Sequence, residues 1–144
     1  MNSIHILLVE DNEGDILLTT EALEEGKIMN KLTVARDGQE AIDFLNKKGN
    51  FKNAKLPDLI LLDVNLPRKN GHEVLKYIKT HDVFRSIPVI MLTTSSAQND
   101  IDKSYENYAN CYITKPIELN DFMVAIGKIE DFWINLVKLP KIHD

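Results

Sequence analysis

Three carboxylates, a threonine and a lysine stand directly behind short apolar runs in this chain. Ile4–Val9 (IHILLV) runs into Glu10-Asp11. Leu59–Leu62 stops at Asp63, with Pro67 and Gly71 soon after. Val89–Leu92 ends at Thr93-Thr94-Ser95-Ser96, and Cys111–Ile113 at Thr114-Lys115-Pro116. If the first and third runs lie side by side, Glu10, Asp11 and Asp63 converge. Two unit charges ~4 Å apart interact by roughly 4 kcal/mol at an effective dielectric near 20. Such a cluster must hold protons or bind a cation. An all-oxygen site with few protein ligands suits Mg2+, which keeps several waters and shares a phosphate. The other two ends agree, because lysine is a point-charge partner for phosphate and a threonine hydroxyl can donate to a phosphoryl oxygen. Asp63 is then the natural nucleophile, since a carboxylate can form an acyl phosphate. Mg2+ and Lys115 would neutralise the charge that builds up during transfer.

The elements that must hold these residues are legible from periodicity. Ile4–Val9 is long enough for a strand and too short for a helix. A helix follows from about Glu13 to Glu25, with Ile16, Leu17, Ala22 and Leu23 on one face and Gly26 at its stop. Leu32–Ala35 is a second strand, Asp37-Gly38 is turn chemistry, and Gln39–Lys47 has helical spacing through Ile42 and Leu45. A polar segment, Lys48–Lys55, precedes the third strand, Leu59–Leu62. Gly71 opens a helix carrying Val74, Leu75 and Ile78. Val89–Leu92 is the fourth strand, a polar helix covers Asp100–Tyr108, and Cys111–Ile113 is the fifth strand. The last helix begins near Glu118 and turns Phe122, Ala125, Ile126 and Ile129 inward. Strands alternate with helices, and the strands are continuously apolar. That predicts an α/β protein with a five-stranded parallel sheet covered on both faces. In such sheets, sites form at the carboxyl ends of the strands, where the strand order reverses.

Composition narrows the classes. The chain has 144 residues, enough for one domain with one core. Cys111 is its one cysteine, so no internal disulfide can form, which fits a reducing cytoplasm. No stretch approaches the ~20 apolar residues of a membrane span. The formal net charge is −5 and the basic residues are scattered, so direct nucleic-acid binding is not expected. His5, His72, His81 and His143 are too dispersed for a metal site and read as structural or surface residues. Cys111 reads as a small core residue. A lone acid behind a strand is usually a solvated loop end or a helix cap. The coincidence of several polar ends on one edge is what argues for a site.

The acidic pair Glu10-Asp11, the segment Asp63-Val-Asn-Leu-Pro-Arg-Lys-Asn-Gly71, Thr93 at the end of IPVIMLTT, and Lys115-Pro116 after Tyr112 occur in that order. Together they resemble the receiver domain of two-component response regulators, from end to end. The resemblance implies a doubly wound, flavodoxin-like receiver fold with strand order 2-1-3-4-5. It implies that Asp63 accepts a phosphoryl group from a sensor histidine kinase or phosphotransfer protein. Asp11, Asp63 and the backbone carbonyl of Asn65 would ligate Mg2+, with Glu10, where the family usually has Asp, acting through water. Thr93 and Thr94 would bind the phosphoryl group with Lys115, and Tyr112 would turn inward as the switch. The Lys115-Pro116 bond would be cis. Asn65 and Ser95 would influence phosphoryl lifetime. Such a protein is no enzyme toward separate substrates and promotes only its own phosphorylation and dephosphorylation.

The tail, GKIEDFWINLVKLPK, continues an apolar stripe through Ile129, Phe132, Trp133, Leu136, Val137 and Leu139. We read residues 1–144 as a single receiver domain, with 127–144 an extended C-terminal helix and tail and no effector domain. Output is then expected through protein contacts, since an apolar stripe of this size usually wants a partner. CYITKP, FW, the late LP and the polar insertion Gly49–Lys55 resemble stand-alone regulators paired with bacterial phytochromes. That resemblance implies a homodimer, with Ile129, Phe132, Trp133 and Leu136 in its interface. Two other readings compete: a Mg2+-dependent phosphohydrolase of the haloacid dehalogenase type, and a pseudo-receiver adaptor that takes no phosphate. The first puts its nucleophile on the first strand as Asp-x-Asp, whereas here the nucleophile follows the third. The full set of site residues argues against the second. A doubly wound nucleotide binder is disfavoured because EDNEGD is acidic where a phosphate needs amides and positive charge.

Overall fold

The computed structural model describes residues 4–25, 30–93, 98–115, 118, 120–121 and 124. Among the described residues five strands and four α-helices alternate: β1 (Ile4–Val9), α1 (Glu13–Glu25), β2 (Asn30–Ala35), α2 (Gly38–Leu45), β3 (Leu59–Asp63), α3 (Gly71–Thr80), β4 (Val89–Thr93), α4 (Gln98–Glu106) and β5 (Cys111–Thr114). The strands form one parallel sheet in the order β2-β1-β3-β4-β5. The chain therefore reverses its winding between β1 and β3, the strands that carry Glu10-Asp11 and Asp63.

Period-two alternation sorts the strand residues onto two faces. Leu7, Val9, Ile60, Leu62, Val89 and Met91 face α2 and α3, joining Ala41, Phe44, Leu45, Val74, Leu75 and Ile78 in one cluster. Ile4, Ile6, Leu8, Leu59, Leu61, Ile90, Leu92, Cys111 and Ile113 face the other way, with Leu23 of α1. Burial on both faces holds throughout β3 and for the described side chains of β4. At the sheet edges it does not. Lys31 of β2 is exposed, its Leu32, Thr33 and Val34 are half-buried, and Thr114 of β5 is exposed. An edge strand has a neighbour on one side only.

The α1 stripe also differs from expectation. Thr19 and Leu23 are buried and Ile16 and Ala22 pack against the core, but Leu17 is 57% exposed. Steps of three and four from Ile16 reach Thr19 and Leu23, while Leu17 lies about 100° round the helix. α2 stops at Leu45 rather than Lys47. The Asn46 side chain donates back to the Ile42 carbonyl at 2.9 Å, and Lys47 turns to a φ of +58°. The polar segment that follows contains a 3-10 turn, Gly49–Phe51.

Polar clamps set the register. His5 N donates to Asp58 Oδ2 at 2.8 Å, and Asp58 N donates to the His5 carbonyl at 2.7 Å, fixing the entry to β3 beside β1. Val89 N donates to Asn110 Oδ1 and Asn110 N to the Val89 carbonyl, both at 2.9 Å, fixing β5 beside β4. His5 bonds Thr33 Oγ1 and His72 meets Asp100, in keeping with structural roles; His143 lies outside the described residues.

α3 begins at Gly71, laid against the Asp63 backbone. Asn70 caps it through a reciprocal pair in which Glu73 N donates to Asn70 Oδ1 and Asn70 N donates to Glu73 Oε1, each at 3.0 Å. Asn70→Ala is expected to lower the unfolding free energy by about 1 kcal/mol. Urea denaturation followed by circular dichroism measures this, and an unchanged midpoint would remove the cap from the account.

Candidate functional site

The strand register determines which polar residues meet. Val9 pairs with Leu62, so Glu10 emerges beside Asp63. Asp63 pairs with Leu92 and Thr93 with Thr114, so Lys115 emerges two strands further along the same edge. Glu10 is 1% exposed and Asp63 is 5% exposed. Asp11, one residue beyond the strand, is exposed. One carboxylate oxygen from each of Glu10, Asp11 and Asp63 lies within 4.8 Å of the other two. Three converging carboxylate oxygens are the donor set a hard divalent cation requires, so these residues fit a Mg2+ site.

Lys115 enters this cluster from β5. Its ammonium makes an ion pair with Glu10, donates to Asp15 Oδ2 at 3.0 Å, and stands 3.3 Å from Asp63 Oδ2. Three carboxylates thus face one ammonium with Asp11 close beside them, and the surplus of negative charge suits a divalent cation. Burial pushes the Asp63 carboxyl up to about 6, with the Lys115 charge working against the shift and the Glu10 charge adding to it. For Lys115, burial favours the neutral amine. The hydrogen bonds to Glu10 and Asp15 and the charges of Asp63 and Glu10 outweigh it, and its pKa rises. Lys115 is therefore a fixed cation at neutral pH, and Asp63 is largely an anion above about pH 6.

The remaining predicted residues divide as follows. Asn65 is exposed, and its backbone N–H points to Asp63 Oδ1 at a long 3.4 Å. Tyr112 is half-buried and packs against the core cluster on the α2–α3 face. Thr93 ends β4 on the same edge as Asp63, and its side chain lies outside the description. Thr94, Ser95, Pro116, Ile129, Phe132, Trp133 and Leu136 lie outside the described residues. Sequence reasoning missed Asp15. It sits four residues after Asp11 in the first turn of α1, where an acid ordinarily reads as a partner for the helix dipole.

A parallel α/β sheet with buried acids and one lysine at its point of reversal is the architecture of a phosphoryl-accepting signalling domain. The chain matches the model of the response regulator receiver domain over residues 6–127 and belongs to that family. It is 45% identical over 135 residues to the response regulator Rcp1 of Synechocystis, spanning 94% of this chain and 92% of that protein. Rcp1 has also been solved in a Mn2+-bound form, with a TM-score of 0.77 over 96% of this chain and 99% of that one. The phosphorylated cyanobacterial phytochrome response regulator RcpA aligns with a TM-score of 0.78 at 45% identity, over 96% and 99% of the two chains. The bacteriophytochrome response regulator AtBRR aligns at 0.85 and 42%, over 98% and 100%. This protein is a response regulator of the two-component type, related to the phytochrome response regulators. As a receiver domain it acts with a histidine kinase or phosphotransfer partner.

Proposed function

We propose that Asp63 is the phosphoryl acceptor of a Mg2+-dependent response regulator that signals through changed protein contacts. One observation carries the reading: a buried, ionisable carboxylate with two further acids within 4.8 Å and the Lys115 ammonium at 3.3 Å. An oxygen of ionised Asp63 attacks the phosphorus of a phosphohistidine. The new P–O bond forms as the P–N bond breaks, and the electron pair stays on the imidazole nitrogen, which takes up a proton. Lys115 pairs with the transferred group, and Thr93 and Thr94 would bind it alongside. Asp11, Asp63 and the Asn65 carbonyl would hold Mg2+, with Glu10 acting through water. Bound there, Mg2+ supplies charge neutralisation for the transferring phosphoryl group. Phosphorylation adds ~1.5 to 2 negative charges at this edge. That favours an arrangement of the segment after β4 in which Tyr112 turns inward.

The kinship with phytochrome regulators supports a phytochrome-type sensor kinase as donor. The apolar stripe Ile129, Phe132, Trp133 and Leu136 supports a homodimer formed by an extended C-terminal segment, residues 127–144, of a single receiver domain working in the cytoplasm. No helix among the described residues is long and apolar enough to cross a membrane. The test is incubation with acetyl phosphate and Mg2+, read by intact mass. Wild type gains one phosphoryl group, and Asp63→Asn gains none. Equal labelling of Asp63→Asn would refute the assignment.

A further inference from the structure

Two acids occupy the first turn of α1, and they do different things. Glu13 is exposed and pairs with Arg36. Asp15 turns inward, and its Oδ2 accepts from Lys115 Nζ at 3.0 Å across a separation of 100 residues. An ammonium has three N–H donors, and here three carboxylates surround it: Glu10, Asp15 and Asp63. A phosphoryl group on Asp63 takes the third place at this ammonium and sets added negative charge against the Glu10 and Asp15 carboxylates. Glu10 is enclosed at 1% side-chain exposure, while Asp15 is 28% exposed. It also rides on a helix rather than on the sheet, so water can take over its hydrogen bond at the least desolvation cost.

We propose that Asp15 is a positioning residue for Lys115: it holds the ammonium over the site while Asp63 is unmodified and competes with the phosphoryl group for it afterwards. This deepens the reading of Asp63 as phosphoryl acceptor and rests on it. The competition has a direction. Removing the Asp15 charge weakens the resting arrangement of Lys115 and removes repulsion from the arriving anion. Both effects favour the phosphoryl-loaded state.

The test uses the full chain, in two arms. Without metal, acetic anhydride labelling of Lys115, read by peptide mass, is expected to be about threefold or more faster in Asp15→Asn than in wild type, as a loosened, partly exposed ion pair allows. At saturating Mg2+, the phosphoryl mimic beryllofluoride is expected to bind Asp15→Asn about two- to fivefold more tightly. Asp15→Glu should return both quantities toward wild type, and Glu13→Gln, an equal charge change in the same turn, should leave both unchanged. Asp15→Ser replaces Asn if circular dichroism shows a damaged helix start. Unchanged labelling and affinity in Asp15→Asn, or the same changes in Glu13→Gln, would overturn the proposal. Failure of wild type to bind beryllofluoride would instead overturn the acceptor reading, with the labelling arm still deciding whether Asp15 holds Lys115.

Discussion

Gly71→Ala is expected to destabilise the protein by about 3 kcal/mol or more, at or beyond the upper end of overpacking effects. A Cβ built at Gly71 would stand 2.1 Å from the Asp63 carbonyl oxygen and 2.7 Å from Val64 Cα. Both obstacles are backbone, so no rotamer change relieves them. The Gly71 N–H already donates to the Val64 carbonyl at 2.8 Å, which holds the start of α3 against the strand end. To admit a methyl group, α3 must move outward and loosen Val74, Leu75 and Ile78, all fully buried. Alanine's better helix propensity, worth ~1 kcal/mol over glycine, works the other way and is overcome. Gly14→Ala is the control: its Cβ would meet only the Asn12 side-chain oxygen, at 3.2 Å. Urea denaturation of both variants decides the matter. A Gly71→Ala midpoint equal to wild type would show that α3 is not pressed against Asp63.

The second large effect runs toward stability. Metal-free Asp63→Asn is expected to exceed wild type by about 1–3 kcal/mol at pH 7.5, since a net rise of about two pKa units, in which the Lys115 attraction is already included, corresponds to ~3 kcal/mol. The sign follows from linkage. Asp63 rises from 3.8 to about 6 on folding, so between those pH values the native state binds more protons than the unfolded chain. Stability contributed by this group therefore falls as pH rises through the window, and the full penalty stands above pH 6. Burial is the main cause, and Asn removes the charge that burial opposes. The advantage of Asp63→Asn should shrink below pH 4, where wild-type Asp63 is protonated in both states. Added Mg2+ should stabilise wild type at pH 7.5 and narrow the gap. Thermal unfolding across pH 4–8, with and without Mg2+, measures all of this. A wild type more stable than Asp63→Asn at pH 7.5 without metal would contradict the account of a carboxylate held at energetic cost.

What the chain determines by itself is local. Apolar runs of three to six residues define the strands, their interruptions define the edge, and the residue after four of the five runs is Glu10, Asp63, Thr93 or close to Lys115. Those relations span a few residues, and the two-residue and 3.6-residue periods are enough to read them. The length of α2, the exposure of Leu17 and the half-open faces of β2 depend on neighbours that periodicity does not see. The site divides in the same way. Glu10, Asp11 and Asp63 are legible because each ends or follows a strand. Asp15 is not, because only folding carries Lys115 to α1, and the choice between Glu13 and Asp15 is made by which of them faces it. Gly71 likewise reads as a helix start. Its need to lack a Cβ exists only once α3 is laid against the Asp63 carbonyl. Side-chain reach across a sheet edge depends on strand register, and register is a property of the whole sheet.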